Sequence, residues 1–387
     1  MGLYLQHCKV KSDHKHLEIS RHLLTEIAAG NYGVSDRLPS EAQLVKRFNV
    51  SRPTVARALR DLTAEGIIER RAGAGSFVRN KNSGTAATRQ IGLLIPGLGT
   101  TEIFEIICGE LASLARKSEY SLLWGGSSHP RRDQDGSREH ARELCEQFIE
   151  RRVTGVFFAP FELTVDKDAI NRSISDRFSE ADIPVVLLDR NIAPFPQSNH
   201  FDLVGLDNVA AGYLLAEHLI KLGCKRIAFV MRPLSAPTVE RRCAGVREAV
   251  ANNDLDLAPD WLQTGDPLDA KFVHQLLAGK RWDAVVCAND LTAAQLIRTI
   301  EKSRLRVPND IRIVGFDDAK YATLVSVPLT TIQQPCRDIA VTAFQTMVSR
   351  IAEPTLPARH IMLAPRLVVR ESCGAYLPRR SPRATGR

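Results

Sequence analysis

The sequence of 387 residues predicts an N-terminal winged helix-turn-helix domain followed by a larger, two-lobed α/β domain with doubly wound sheets. Residues 38–78 hold two short helix patterns and a hairpin pattern in close succession. From residue 90 onward, short apolar runs alternate with helical segments, as in parallel sheets covered on both faces. This second part has about 280 residues, more than one such sheet of ordinary size needs, so two lobes are expected.

The N-terminal part begins with a polar stretch, residues 1–16, which is expected to be frayed. Residues 17–29 predict a supporting helix that ends at Gly30. Its inward residues are predicted to be Leu17, Leu23, Leu24 and Ile27.

The helix-turn-helix pattern starts at Ser40, a good N-cap, and Gln43 three residues later completes a capping box. Asn49 and Val50 make the turn. Ser51 caps the second helix, where a proline in the first turn is tolerated because no intrahelical donor is needed there.

The second helix is predicted to be amphipathic. Its apolar residues recur at i, i+3, i+4 and i+7 and are Val55, Ala58, Leu59 and Leu62. Arg57 and Arg60 fall on the opposite face, and Arg52 stands at the helix start. After Gly66, residues 67–71 can form a strand that Gly73-Ala74-Gly75 turns back into Ser76-Phe77-Val78.

Charge supports a nucleic-acid partner for this part of the chain. Residues 1–90 hold 15 Lys and Arg against 8 Asp and Glu, whereas residues 91–370 hold 33 against 35. A short capped helix with a cationic face suits the DNA major groove, although a solvated basic face is the plainer alternative. The predicted DNA-binding residues are Arg37, Ser40, Glu41, Ser51, Arg52, Thr54, Arg57, Arg60, Arg71, Gly73, Gly75 and Ser76.

The motifs LPSE, SRPTVARAL, EGIIERR and GAGSFV follow one another in order. In this series the segment resembles the winged helix-turn-helix head of GntR-type bacterial transcription regulators. The resemblance covers about one-fifth of the chain. It implies a double-stranded DNA operator as the partner.

The predicted strands of the second part are 91–95, 121–124, 155–159, 185–188, 203–206, 226–231, 284–287 and 311–314. The predicted helices between them are 102–117, 138–151, 208–222, 238–253, 269–279 and 291–303. In doubly wound sheets, ligands bind at the carboxyl ends of strands. Polar residues stand at several of these positions.

Successive blocks such as IPVVLLDR, VGLDNVAAGYLLAEHL, WDAVVCANDLTA and VGFDDAKYATL resemble the LacI-type sugar-sensing domain, in the family's order. The resemblance implies a periplasmic-binding-protein-like domain with ligand in the cleft between lobes. It places the first lobe at about 90–194 plus 335–355, and the second at about 200–333 plus 360–370. A GntR-type head on this sensor is similar to the arabinose-responsive regulators.

The predicted domains are therefore a winged helix-turn-helix at 14–79, a flexible linker at 80–89, an effector-binding domain at 90–372 and a disordered basic tail at 373–387. The resemblance makes the following residues candidates for effector binding: Glu102, Arg190, Asn208, Glu240, Arg242, Asn289, Asp290 and Gln334.

Several of these candidates have a structural alternative. Arg190 presents a rigid fork of donors to vicinal hydroxyls, or else pairs with Asp189. Asp290 is able to cap a helix, and Asn208 likewise. Glu102 is more typical of a helix N-terminus than of a ligand contact.

Phe104 or Phe161 could supply a ring that stacks on a sugar, because Glu102 and Ile103 stand where the binding proteins often have two Phe. Glu240 stands where some sugar-binding relatives have Arg. This departure predicts a different ligand, or a role for Arg241 or Arg242 in its place.

The other function classes are less well supported. No P-loop, H-E-x-x-H or G-x-S-x-G motif occurs, so neither an enzyme nor a cofactor nor a metal is predicted. A transport binding protein would leave the basic head unexplained, and no signal peptide or membrane span is predicted. The 8 cysteines form no C-x-x-C pair, which favours buried free thiols in the cytoplasm. The sequence predicts a homodimeric transcription regulator, a repressor, whose operator binding responds allosterically to a sugar-like effector.

Overall fold

The computed structural model describes residues 15, 16, 18–27, 32, 36–64, 67–71, 74–78, 89–96, 102–124, 134–192, 196 and 199–378. The chain divides between Arg89 and Gln90 into two compact units, here called the head and the sensor. Residues 1–14, most of the predicted linker and residues 379–387 lie outside the described ranges. Within those ranges no helix is long and apolar enough to cross a membrane.

The head consists of three helices and a hairpin: α1 (residues 18–27), α2 (Glu41–Phe48), α3 (Arg52–Ala64), β1 (Ile68–Arg71) and β2 (Gly75–Val78). The strands pair antiparallel, with Ile68 opposite Val78. The predicted inward face of α3 is confirmed, because its four apolar residues are buried with Leu23 and Leu44 in one core. Leu24 and Ile27 pack against this core, and Leu17 lies outside the described residues.

The capping box that begins α2 is also confirmed. Gln43 Oε1 accepts the Ser40 N–H at 2.8 Å, and Ser40 Oγ accepts the Gln43 N–H at 3.4 Å. The helix ends at Asn49, whose φ of 48° lies in the left-handed region that Asn tolerates. This tight turn allows α3 to start three residues later.

The first lobe of the sensor is built on a six-stranded sheet. Its elements are β3 (Arg89–Leu94), α4 (Glu102–Lys117), β4 (Tyr120–Trp124), α5 (Gln134–Glu150), β5 (Gly155–Phe158), α6 (Lys167–Glu180), β6 (Val185–Leu188) and β7 (Asp202–Leu206). Helix α11 (Cys336–Ala352) and strand β13 (His360–Leu363) return to this lobe later in the chain. The strands lie in the order β13-β7-β6-β5-β3-β4, and apolar clusters cover both faces of the sheet.

The elements of the second lobe are α7 (Asn208–Lys221), β8 (Ile227–Met231), α8 (Pro237–Ala251), β9 (Leu262–Thr264), α9 (Ala270–Leu277), β10 (Ala284–Cys287), α10 (Asp290–Lys302), β11 (Arg312–Val314), β12 (Thr331–Gln333) and β14 (Arg366–Val368). Four strands form a parallel sheet in the order β11-β10-β8-β9, and β12 pairs antiparallel with β14. Helices α7 and α8 pack closely, because Gly212 and Gly245 leave no side chain between them.

The chain crosses between the lobes three times: after β7, after β12, and between β13 and β14. This corrects the lobe limits implied by the resemblance, which put residues 200–206 and 360–363 in the second lobe. Strand β7 pairs with β6, with Leu203 opposite Leu187, and β13 pairs with β7. Both strands therefore complete the sheet of the first lobe.

The ordered core extends beyond the predicted boundary at residue 372. Cys373 is fully buried in the second-lobe core, and the Nε2 of His218 lies 3.3 Å from its Sγ.

The described cysteines are all free thiols, as predicted, and all except Cys108 are buried. Cys8 lies outside the described residues. Burial raises the pKa of Cys108 and Cys243 to about 12, so these thiols stay protonated at neutral pH.

Candidate functional site

The outer face of α3 is cationic, as the sequence predicted. Arg52, Arg57 and Arg60 are exposed, whereas the opposite face of the helix is buried in the head. Arginine side chains on an exposed helix face hold phosphates or read guanine edges in the major groove. The described part of the head therefore presents a surface suited to DNA.

Glu41 has a different environment from the one expected of a DNA contact. Its carboxylate pairs with Arg70 at the hairpin and lies 3.3 Å from Arg52 Nε at the start of α3. A free carboxylate would repel phosphates, but this one lies between two arginines. Glu41 thus positions Arg52 and Arg70 relative to one another.

The hairpin residues that were predicted to contact DNA differ in their surroundings. The guanidinium of Arg71 lies over the Phe77 ring, with its Cζ 4.7 Å from the ring centroid. Gly75 has a φ of +114°, and a Cβ there would lie 2.9 Å from Arg37 Nε, so glycine is required. The side chain of Ser76 is buried, which contradicts the prediction that it contacts DNA. Gly73 lies outside the described residues.

The other three hydroxyl groups that were predicted to contact DNA already have partners within the head. Ser51 Oγ and Thr54 Oγ1 lie 2.8 Å apart and are exposed or half-exposed at the start of α3. Ser40 Oγ belongs to the capping box of α2. A DNA phosphate would have to share these hydroxyls with their present partners.

Arg57→Ala is expected to weaken operator binding by about 1–3 kcal/mol if Arg57 makes a bidentate base contact. If Arg57 holds a phosphate instead, operator and random DNA should lose affinity about equally. Fluorescence anisotropy with both DNAs distinguishes the two roles. Unchanged affinity for both would contradict each of them.

The sensor has a cavity of about 210 Å³ between its lobes. Its polar lining consists of Glu162, Asp189, Arg190, Arg232, Ser235, Thr238, Arg242, Asn289, Thr292, Asp317 and Gln334. Asp189, Asn289 and Asp317 follow strands β6, β10 and β11, so carboxyl ends of strands from both lobes meet here. The cavity is smaller than the roughly 300–1,000 Å³ pockets of drug-sized ligands, which suits a compact ligand.

Arg190 is the buried cation of the first lobe. Its Nε lies 3.0 Å from Asp189 Oδ2, its Nη1 pairs with Glu162, and its guanidinium Cζ lies 5.5 Å from the centroid of Phe104. Burial disfavours the charge, but the two carboxylates outweigh it and raise the pKa of Arg190. The salt bridge expected as an alternative is thus present, and Arg190 lines the cavity as well.

Arg242 is the buried cation of the second lobe. Its Nε donates to Asn208 Oδ1 at 2.9 Å and its Nη1 to the Ala288 carbonyl at 2.5 Å, while its Cζ lies 3.4 Å from the centroid of Phe316. Burial lowers the pKa of Arg242, although the charge of Asp317 opposes this. Within the described residues the hydrogen bonds of Arg242 go to neutral groups, and no carboxylate forms an ion pair with its guanidinium.

Two buried acceptors in the lining have no hydrogen-bond partner among the described residues. They are Asp189 Oδ1 and Gln334 Oε1. The other end of the Gln334 amide donates from Nε2 to Asp317 Oδ1 at 2.8 Å. An unsatisfied buried acceptor costs about 1–3 kcal/mol, which a ligand hydroxyl could recover by donating to it.

Asp317, not Asp290, supplies the carboxylate of this wall. Asp290 is fully buried outside the cavity, where its Oδ1 accepts from Thr331 Oγ1 at 2.6 Å and its Oδ2 from the Ala319 N–H at 2.9 Å. The predicted effector contact at Asp290 is therefore wrong. Asn289, rather than Asp290, caps α10 by accepting the Thr292 N–H at 2.8 Å, and Asn289 also lines the cavity.

Three other candidates for effector binding do not line this cavity. Glu102 Oε2 accepts the Lys320 N–H of the opposite lobe at 2.6 Å. Asn208 accepts a hydrogen bond from Arg242 through its Oδ1 and lines a neighbouring cavity of about 320 Å³. Glu240 is exposed and does not line the interlobe cavity, because it stands two residues before Arg242 on α8 and is turned outward.

The described lining of the cavity contains no aromatic ring. Phe104 is buried against Arg190, and Phe161 belongs to the core of the first lobe. A platform for stacking on a sugar ring is thus not provided by either residue. Ile103, which stands where the sugar-binding proteins often have a Phe, lines the cavity with an aliphatic side chain.

Sequence reasoning missed Glu162 and Asp317. Asp317 follows strand β11 as Asp189 follows β6, so the same strand-end rule could have identified it. Glu162 lies four residues beyond β5, in a segment without a motif, and its role depends on contacts with distant residues.

Two family models match the chain. The model for bacterial regulatory proteins of the gntR family matches residues 15–78, and that for a periplasmic binding protein-like domain matches residues 216–373. The arabinose metabolism transcriptional repressor of Geobacillus stearothermophilus is 29% identical over 374 residues, which cover 94% of this chain and 99% of the relative. The ribose operon repressor of Escherichia coli K12 is 30% identical over 289 residues, 74% of this chain and 82% of the relative.

This chain belongs to the bacterial transcription regulators with a gntR-family head and a LacI-type sensor. The fold of the regulator is also similar to that of the CelR transcriptional regulator in complex with cellobiose, with a TM-score of 0.62 and 22% identity over 84% of this chain and 91% of CelR. The relatives are named as transcriptional repressors, and the two matched families correspond to the head and the sensor expected from the sequence.

Proposed function

We propose that this regulator is a homodimeric repressor whose affinity for its operator is controlled by an uncharged, compact sugar in the interlobe cavity. The observation that carries the proposal is a pair of buried acceptors, Asp189 Oδ1 and Gln334 Oε1, which have no hydrogen-bond partner in the described part of the chain and lie in the same lining as the buried donor Arg242. A sugar hydroxyl both donates and accepts, so one small ligand is able to satisfy all three.

The charges of the cavity favour a neutral ligand. The cations of the lining, the buried Arg190 and Arg242 and the exposed Arg232, balance three carboxylates, those of Glu162, Asp189 and Asp317. A phosphate or carboxylate ligand would add a further negative charge beside these acids, which is costly in a buried site. The sugars named for the arabinose and ribose repressors fit this requirement.

The number of recognition helices in the head is an argument for a dimer. One chain offers one recognition helix, α3, and a pseudo-palindromic operator is read by two such helices on half-sites about one helical turn apart. Effector-driven closure of the lobes changes the spacing of the two heads. Operator affinity changes only by as much as the effector's affinity differs between the two states.

The test is a gel-shift titration of the full chain on its promoter DNA with L-arabinose, D-ribose, ribose 5-phosphate and gluconate. Release of the operator by a neutral sugar, with no effect of the charged analogues, is expected. Release by an analogue with a phosphate or carboxylate would contradict the neutral-ligand proposal. A monomer on DNA, measured by light scattering, would contradict the dimer.

The regulator is expected to become more stable as the pH falls from about 7 to about 5, because of Asp317. Burial raises the pKa of Asp317 to about 6, aided by Asp189 and Glu162 and opposed by Arg242 and Gln334. The unfolded chain releases this proton near 3.8, so between the two values the folded state binds more protons. Stability is therefore lost as the pH rises through about 6.

Asp317→Asn should remove this contribution. The variant is expected to unfold at a higher temperature than the wild type at pH 7.5 and to show a smaller change between pH 5 and pH 7.5 by differential scanning fluorimetry. Its affinity for a sugar should fall, because an amide accepts hydroxyl protons less strongly than a carboxylate. An unchanged pH profile would contradict the role given to Asp317.

A further inference from the structure

A lysine of the first lobe binds the backbone of the second lobe beside the interlobe cavity. Lys167 Nζ, at the start of α6, donates to the carbonyls of Ser235 at 2.7 Å and Leu234 at 3.2 Å, just before α8. The Leu163 N–H of the first lobe also donates to the Leu234 carbonyl, at 2.9 Å. We call this set of hydrogen bonds the lysine contact.

A glutamate of the first lobe makes a second contact of the same kind, here called the glutamate contact. Glu102, the first residue of α4, accepts the Lys320 N–H of the second lobe through its Oε2 at 2.6 Å. Its Oε1 also lies 3.7 Å from Lys320 Nζ, but that ammonium is exposed and the ion pair contributes little. In each contact, a charged side chain of the first lobe binds a backbone group of the second, and hydrogen bonds of this charge-assisted kind are stronger than neutral ones.

The lysine and glutamate contacts flank the cavity. Leu163 and Ser235 of the lysine contact line it, and so does Ile103, the neighbour of Glu102. In the second lobe the lysine contact follows β8 and the glutamate contact follows β11, and β10 lies between these two strands in the sheet. Neighbouring strands are about 4.8 Å apart, so β8 and β11 are separated by roughly 10 Å. Asn289, which follows β10, lines the cavity between the two contacts.

Both contacts depend on the arrangement of the lobes. Each joins residues that follow strands of different sheets, so rotation of one lobe away from the other breaks both at once. Each contact therefore stabilises the closed form of the sensor. An effector that touches both lobes also favours this form, so effector and contacts stabilise one another by linkage.

We propose that Glu102 and Lys167 are positioning residues that together hold the two lobes closed over the effector cavity. Neither residue belongs to the described lining, so each acts on the effector through the arrangement of the lobes. Glu102, a candidate for direct contact with the effector on resemblance, thus serves effector binding from outside the cavity. The inference rests on the proposed function for the identity of the effector.

Hydrogen–deuterium exchange of the full chain tests each contact from the other side of the cavity. Lys167→Met removes the ammonium but keeps a long side chain, and its effect is measured at the Lys320 amide. Glu102→Ala removes the carboxylate, and its effect is measured at the Leu163 amide. Loss of a hydrogen bond from a charged group shifts such an opening equilibrium about tenfold or more, so both amides should exchange about tenfold faster than in the wild type. A role confined to local structure would leave the distant amide unchanged.

Conservative variants and matched controls accompany this test. Lys167→Arg keeps a cationic donor and Glu102→Gln keeps an acceptor for the Lys320 N–H, so exchange in both should stay within about threefold of the wild type. Lys117→Met and Glu150→Ala, which change exposed residues of the same lobe, should alter neither amide. The two contacts are mutated separately, so a variant that fails to fold by circular dichroism leaves the other as the test.

The link to the effector is measured by isothermal titration calorimetry with L-arabinose and D-ribose. A sugar that binds the wild type should bind Lys167→Met and Glu102→Ala about tenfold more weakly, because part of its binding free energy must then close the lobes. The same sugar should slow exchange of the Leu163 and Lys320 amides in the wild type. The conservative variants and the two controls should bind it like the wild type.

Three results distinguish the parts of the inference. Exchange of the distant amide within about twofold of the wild type in both variants would overturn the joint closing role of Glu102 and Lys167. Sugar affinity within about twofold of the wild type in both would overturn the link between closure and effector. If neither sugar bound the wild type while the distant amides still responded, the sugar effector of the proposed function would fail and the closing role would stand.

Discussion

Arg242→Met is expected to abolish the response of the regulator to its effector while leaving a folded, DNA-binding protein. Hydrogen bonds from a charged group contribute about 1.5–3 kcal/mol each, so loss of one or two to a sugar weakens binding at least tenfold, and more than a hundredfold if both are lost. Calorimetry with the sugar that binds the wild type measures the loss. Gel shifts should show operator binding that no longer changes with sugar.

The folding stability of Arg242→Met is expected to change little, because two effects oppose one another. The variant no longer buries a cation whose hydrogen bonds go to the neutral Asn208 and Ala288 oxygens. It also leaves those two acceptors without their donor. Arg241→Met, one residue away on the exposed side of α8, is the control and should bind sugar like the wild type. Unweakened binding by Arg242→Met would remove Arg242 from the effector site.

Gly245→Ala is expected to be severely destabilising. A Cβ at this position would lie 2.0 Å from the Val209 carbonyl oxygen and 2.7 Å from the Tyr213 nitrogen, both backbone atoms of α7. Overpacking of this kind costs about 1–3 kcal/mol and sometimes more, which exceeds the roughly 1 kcal/mol that alanine gains over glycine in a helix. After subtraction of that gain, a net loss of about 2 kcal/mol should lower the melting temperature by about 4–8 °C.

Gly109→Ala is the matched control, because it is also a helical glycine but nothing lies within 4 Å of its Cβ position. It should raise the free energy of unfolding by about 0.5–1 kcal/mol. Scanning fluorimetry of the two variants and the wild type gives the comparison. If both substitutions stabilised the protein equally, the close packing of α7 on α8 would be incorrect.

The features that were best predicted from the sequence are those that depend on local side-chain spacing. The buried face of α3 and the strand ends at Asp189 and Asn289 follow from side-chain spacing and from the polarity of a strand's last residues. The strands β9, β12, β13 and β14 were missed because they are only three or four residues long and several are half-exposed. Short strands of mixed polarity take their structure from the neighbours with which they pair.

The lining of the interlobe cavity was predicted in part, for a related reason. Arg190, Arg242 and Gln334 line the cavity, whereas Glu240 is exposed and Asp290 is committed to Thr331 and the Ala319 N–H. Which of two adjacent strand-end residues faces the cleft depends on the loop conformation that follows the strand. That conformation is set by hydrogen bonds between residues distant in the chain, and the spacing of residues along the sequence does not reveal these bonds.

The three crossings between the lobes determine the order in which the sensor matures on the ribosome. Strand β13, at the edge of the first sheet, is synthesised after nearly the whole of the second lobe, and β14 follows it. Synthesis proceeds from the N-terminus, and pairing between distant segments is slow to form. The head can therefore fold some 280 residues before the sensor is complete. A nascent chain acquires its DNA-binding domain early and its control by effector last.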